Sequence, residues 1–173
     1  GLGEGPIANA ITLAGGTQNI LLRFSRSGRS YVLRRPPPVL RANSNETMRR
    51  EARILAALKG SNVPHPELIA ACPEEDVIGA SFYLMEPIEG FNATQGLPAL
   101  HAGDAAIRLR MGLAMVEAIA ALSRVDYRAV GLEGFGKLDN WIERQVGRWA
   151  SQLASYAEML GWTGPDAIPG VDK

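Results

Sequence analysis

The sequence predicts an α+β chain in two parts, strands first and helices after, and three observations carry that expectation. Up to about residue 90, short β-branched and aromatic runs are punctuated by Gly and Pro, the pattern of strands and turns. Beyond residue 100, apolar residues recur at spacings of three and four over long stretches, the period of amphipathic helices. Residues 91–100, which mix Asn, Thr, Gly and Pro, belong to neither regime. Residues 1–90 are therefore expected to form a lobe of about five antiparallel strands and one helix, 91–102 a linker, and 103–173 the first helices of a mostly α lobe.

Each element has a local cause. Residues 8–14 and 19–25 read as strands on either side of Gly15-Gly16, and Ser27-Gly28-Arg29 turns the chain into a third strand over 30–35. Proline lacks the amide that a ladder needs, so Pro36-Pro37-Pro38 stops that strand. A helix begins at Asn43-Ser44-Asn45-Glu46, where a side-chain oxygen can cap the first free amides and the acid suits the positive helix end. Met48, Ala52, Leu55 and Leu58 form its apolar stripe, and Lys59-Gly60 ends it with a cation and a glycine. Pro64-His65-Pro66 forces an extended entry to a fourth strand over 67–71; Pro73-Glu74-Glu75-Asp76 turns the chain, and 80–86 reads as the fifth strand.

In the helical part, 105–124 reads as a helix with Ile107, Met111, Met115, Ile119 and Leu122 on one face. A second runs from about 138 to 160, its stripe of Leu138, Ile142, Val146, Trp149, Leu153, Tyr156 and Leu160 spaced by fours and threes. That stripe, with Trp141 flanking it, is expected to pack into a core. Residues 161–173, rich in Gly, Pro and Asp, read as a loop or a frayed end.

Composition narrows the partners. The chain has 173 residues, 46% of them hydrophobic, and 18 basic residues balance 18 acidic ones. A neutral balance without a Lys/Arg run argues against a nucleic-acid partner or an anionic-membrane surface. The longest apolar stretch, 111–122, is interrupted by Glu117 and falls short of the ~20 residues a bilayer crossing needs. The first residues have neither a basic segment nor an apolar run, so no signal peptide is expected. A lone Cys72 beside two histidines gives neither an intrachain disulfide nor zinc-finger spacing, and a reduced, cytoplasmic setting is the simplest fit.

Four stretches then stand out by their order: Gly15-Gly16-Thr17-Gln18-Asn19, Tyr31-Val32-Leu33-Arg34-Arg35, Arg50-Glu51-Ala52-Arg53-Ile54-Leu55 and Phe82-Tyr83-Leu84-Met85-Glu86. They follow one another as in the nucleotide-holding half of a kinase. With Pro36-Pro37-Pro38 and Val125-Asp126-Tyr127-Arg128-Ala129-Val130-Gly131-Leu132, they resemble the aminoglycoside phosphotransferase-like family, and within it the branch fused to acyl-CoA dehydrogenases. The resemblance runs from about Ile11 to about Lys173. It implies a protein-kinase-like fold, ATP as phosphoryl donor, Mg²⁺, and a small hydroxyl-bearing acceptor of unknown identity; analogy with the fusion suggests a hydroxyacyl thioester, analogy with the family name an aminoglycoside, and the fold does not choose between them.

The resemblance also assigns roles. Gly15-Gly16 lets the backbone approach a polyphosphate and point amides at it, with Thr17, Gln18 or Asn19 adding a side-chain donor. It is not a Walker loop, and on its own a Gly-Gly between strands is a plain hairpin. Arg34 stands where the pattern Val-Ala-Ile-Lys places the lysine that touches the α- and β-phosphates, and Glu51 is its helix partner. Arginine departs from that pattern, but its planar fork can hold a carboxylate and a phosphate at once. The plainer alternative is a surface ion pair worth at most about 1 kcal/mol. In Met85-Glu86-Pro87-Ile88, the backbone of Glu86 and Ile88 is implied to bind adenine.

The chemical step itself has no candidate residues. His101-Ala102-Gly103-Asp104 resembles the family's His-Gly-Asp but precedes the long helix and carries an extra residue, so Asp104 reads as a helix cap. The catalytic aspartate, the asparagine and the acidic metal ligand are expected beyond Lys173, which leaves the chain able to hold nucleotide but inactive by itself. The alternative is a nucleotide-binding pseudokinase or a protein-interaction scaffold.

Overall fold

In the computed structural model, which describes residues 2–13, 19–40, 43–137, 139–158, 161–164 and 170, the strand-rich part forms one five-stranded sheet. Its strands are β1 (Ala8–Thr12), β2 (Ile20–Arg26), β3 (Arg29–Arg35), β4 (Leu68–Cys72) and β5 (Phe82–Met85), in the order β1-β2-β3-β5-β4 with every pairing antiparallel. β2 and β3 are joined by the two residues Ser27 and Gly28, both at positive φ (50° and 76°), the backbone that a tight hairpin matched to strand twist requires. β1 carries an irregularity between Ala8 and Ile11, where Asn9 adopts φ 53° and its amide donates to Ser25 Oγ at 3.1 Å.

Helix α1 (Ser44–Leu58) crosses one face of the sheet. Strand alternation decides which residues meet it. Tyr83 packs with Met48 and Ala52 of α1, and Leu55, Leu68 and Met85 close around them. Leu84, one residue on, points to the other face and joins Phe24 and Tyr31, with Leu2, Leu33 and Ile69 against them. The helix ends as expected: Gly60, at φ 77°, takes the left-handed turn that lets Ser61 N donate to Leu58 O at 2.9 Å. Its start differs. Asn43 is the N-cap but makes no side-chain capping bond, and the side-chain oxygen of Asn45, Oδ1, accepts instead from the buried Ser81 N at 3.1 Å. A tertiary partner outcompetes the local one because an unsatisfied buried amide costs more than an uncapped, exposed one.

After the sheet come a short helix not expected from the sequence, α2 (Ala99–Gly103), and a long one, α3 (Ala105–Ser123). Asp104 caps α3, its Oδ1 accepting from Ala106 N at 2.7 Å and Ile107 N at 3.3 Å. Asp126 does the same for the turn that follows, accepting from Arg128 N at 2.9 Å and Ala129 N at 3.3 Å. Arg53 of α1 donates to Gly131 O at 2.7 Å, so the Val-Asp-x-x-Ala-Val-Gly-Leu segment is fastened to that helix.

The chain divides into two compact units, Gly1–Leu132 and Glu133–Lys173. The second holds α4 (Trp141–Ser155) and a 3₁₀ turn (Tyr156–Glu158). The core expected along α4 is not formed by the described residues. Ile142, Val146 and Trp149 are exposed, Trp149 by 63%, and Trp141 is exposed beside them. Spacing specifies that these side chains share a side of the helix, not what lies against that side.

Candidate nucleotide-binding site

Arg34 lies near the end of β3, directly opposite Leu21 of β2 and Tyr83 of β5. By alternation, Val32 and Met85 share its face, and so does Arg23 through its pairing with Val32. Met48 and Ala52, two of the three buried side chains of α1, face the sheet, and Glu51 lies next to Ala52 along the helix. The carboxylate and the guanidinium therefore meet. Arg34 Nη2 donates to Glu51 Oε1 at 3.1 Å, and Arg34 Nε lies at ion-pair distance, 2.9 Å, from Glu51 Oε2 without the geometry of a second hydrogen bond.

A third residue completes the cluster. Tyr83 donates its phenolic hydrogen to Glu51 Oε2 at 3.0 Å. Burial, then the Glu51 carboxylate, push the Tyr83 phenol well above its ordinary value of 10.0, while Arg34 acts in the opposite sense. The phenol remains a donor throughout the neutral range. Sequence reasoning assigned Tyr83 no role. The available signal was the alternation in Phe82-Tyr83-Leu84-Met85, which puts Tyr83 and Met85 on one face, but linking that face to Arg34 requires the β3–β5 register.

The Arg34–Glu51 pair is partly open, with side-chain exposures of 28% and 30%. A cation held by a carboxylate and still partly accessible suits an incoming anion. Arg35 points away from the pair and folds back to donate to Pro36 O at 3.1 Å; it is half-buried rather than free in solvent. Glu86 follows β5, and its amide donates to Glu67 O at 3.0 Å. Ile88 is exposed, and Glu89 pairs with Arg23 at 2.6 Å, tying the segment after β5 to the Arg34 face of the sheet. Gly15, Gly16, Thr17 and Gln18 lie outside the described residues; Asn19, the last of that group, is half-buried just before β2.

Among the described residues no group of three or more His, Cys, Asp or Glu side chains is placed to hold an ion. Asp104 and Asp126 are spent on backbone amides, and His65 Nδ1 lies 2.6 Å from Val63 O. Among the described residues, none are arranged to fit Mg²⁺. Partial burial, followed by the charge of Glu74, pushes the Cys72 thiol up, which leaves it protonated and unreactive at neutral pH. No described helix is long and apolar enough to cross a membrane.

An antiparallel five-stranded sheet, a helix whose carboxylate holds a strand arginine, and helices following on form the N-terminal part of a kinase-like fold. The sequence profile of the Phosphotransferase enzyme family matches residues 10–162, and the chain belongs to that family. A solved Ralstonia eutropha protein, described provisionally as an aminoglycoside phosphotransferase, matches with a TM-score of 0.70 at 32% identity, covering 90% of this chain and 44% of that one. Among curated proteins, the chain is 37% identical over 130 residues to an Arabidopsis thaliana protein described provisionally as acyl-CoA dehydrogenase IBR3, covering 74% of this chain and 16% of that one. It is 30% identical over 167 residues to acyl-CoA dehydrogenase family member 11 of Gallus gallus, covering 91% of this chain and 21% of the relative. The chain thus spans well under a third of the length of these curated relatives.

Proposed function

We propose that these residues hold the nucleotide of an ATP-dependent small-molecule phosphotransferase that transfers a phosphoryl group to a hydroxyl. The observation that carries this reading is the Arg34–Glu51 pair, a fixed and accessible cation on the sheet face beneath α1. In this reading Arg34 takes the α- and β-phosphates, and residues 15–19 wrap the polyphosphate with backbone amides. The Glu86 carbonyl and the Ile88 amide read adenine, since the Glu86 amide is already engaged by Glu67 and Pro87 has none. Residues 1–90 are the nucleotide lobe, 91–102 the hinge and linker, and 103–173 the start of the helical lobe.

Residues 1–173 supply no general base and no metal carboxylates in this scheme, so alone they bind nucleotide without transferring it. The catalytic aspartate and Mg²⁺ ligands come from chain beyond Lys173. The acceptor is a small hydroxyl-bearing molecule; the acyl-CoA dehydrogenase names of the relatives make a hydroxyacyl thioester the first one to try. The lone thiol, held protonated, suits a reducing cytoplasm.

Titration calorimetry with MgATP tests the core of this proposal. Arg34→Ala and Glu51→Ala are each expected to weaken binding by about tenfold or more, the scale of a lost charge-assisted contact. Unchanged affinity in both variants would remove these residues from the site. Residues 1–173 are further expected to release no ADP from MgATP above the uncatalysed rate, and measurable turnover would contradict the assignment of the base to other residues. The scaffold reading draws on one observation, the exposed apolar side chains of α3. It gains if MgATP does not bind.

A further inference from the structure

Glu51 can orient Arg34 only if something orients Glu51. Both side chains of the pair are about 30% exposed, and a glutamate at a helix surface has several rotamers open to it. Tyr83 has no such freedom: it is 4% exposed, and its ring is packed against Met48 and Ala52. Its hydroxyl sits 3.0 Å from Glu51 Oε2, the oxygen that also lies 2.9 Å from Arg34 Nε. Tyr83 is also the residue directly opposite Arg34 across the β3–β5 ladder.

We infer that Tyr83 is a positioning residue of the nucleotide site, its buried phenol fixing the Glu51 carboxylate so that Arg34 presents its fork in one orientation before nucleotide arrives. The inference rests on the nucleotide reading above. One point thereby ties together α1, β3 and β5. The need for such a tie follows from arginine standing where the kinase pattern has lysine. An ammonium is a compact charge whose donors rotate freely, whereas a guanidinium is planar, and the direction of its donors is set by the carboxylate it lies against. A carboxylate that could swing would redirect the donors meant for phosphate. The phenol also keeps one donor on Glu51 when a phosphate draws on Arg34, so the partly buried carboxylate is never left without a partner.

A double-mutant cycle read by MgATP titration of the full chain tests this. Tyr83→Phe retains the packed ring and removes only the hydroxyl. Expected is a loss of about three- to tenfold in affinity with Glu51 present, shrinking to less than about twofold in the Glu51→Ala background and also in Arg34→Lys, whose ammonium needs no in-plane orientation. A role confined to fold stability would lower the melting temperature and shift affinity equally in every background, and that result overturns the inference. Binding by the wild type that is lost in Arg34→Ala but intact in Tyr83→Phe leaves the nucleotide reading standing and overturns the role of Tyr83. Failure of the wild type to bind MgATP removes both.

Discussion

Tyr83 also ties stability to pH. Its folded-state proton is held by burial and by Glu51, while the unfolded phenol titrates near its ordinary value of 10.0. Below that value both states keep the proton, and the hydrogen bond to Glu51 contributes in full. Above about pH 10 the unfolded chain releases the proton and the folded chain does not, so stability falls as pH rises, by at most about 1.4 kcal/mol per pH unit. Tyr83→Phe has no such group. Urea midpoints of the two proteins are expected to run parallel below pH 9 and to converge from about pH 10 upward. Parallel behaviour up to pH 11.5 would show that the phenol is not shielded. Arg34 and Glu51 were legible in the sequence because a family pattern orders them along the chain. Tyr83 was not, because its part depends on β5 lying against β3, a pairing between strands that are not neighbours in sequence.

At the scale of elements, the two caps separate what local chemistry decides from what tertiary structure decides. Asp104 was readable because nothing competes for its carboxylate, and Oδ1 takes both first-turn amides of α3. At α1, Asn43, Ser44 and Asn45 all have capping chemistry, and the choice among them was lost to Ser81, whose buried amide claims Asn45. Removal should reflect this. Asp104→Ala is expected to cost about 1 kcal/mol, the usual worth of a side-chain N-cap. Asn45→Ala should cost about 1–3 kcal/mol, because it strands a buried N–H. Asn43→Ala should cost less than either, since its side chain makes no capping bond. Chemical denaturation of the three variants checks the ranking, and an Asn43→Ala loss equal to that of Asp104→Ala would contradict it. The strand boundaries were readable to within a residue or two because proline and glycine mark them, whereas α2 was missed: five residues are too few for a period to show.

For the molecule as a whole, the unbalanced feature is α3. Its expected face holds only in part: Ile107 and Met111 are half-buried, but Met115, Ile119 and Leu122 are exposed, Met115 by 66%, and Leu109, Leu113 and Val116 are exposed around the helix as well. A helix apolar on every side is ordinarily surrounded by protein, and apolar residues this close together on a surface promote association. The sequence revealed the apolar residues and the helix; it could not reveal their exposure, because a periodicity describes one element and burial depends on all the others. Residues 1–173 on their own are therefore expected to bind an apolar dye and to sediment with an average mass that rises with concentration. Replacing Val116 and Ile119 with Glu should suppress both effects while leaving the melting temperature nearly unchanged, because side chains already in water contribute little to the folded state. A wild-type chain that stays monomeric and dye-free at high concentration would mean that this surface is covered in solution. A double variant that melts much lower would mean that the same side chains are packed within the fold.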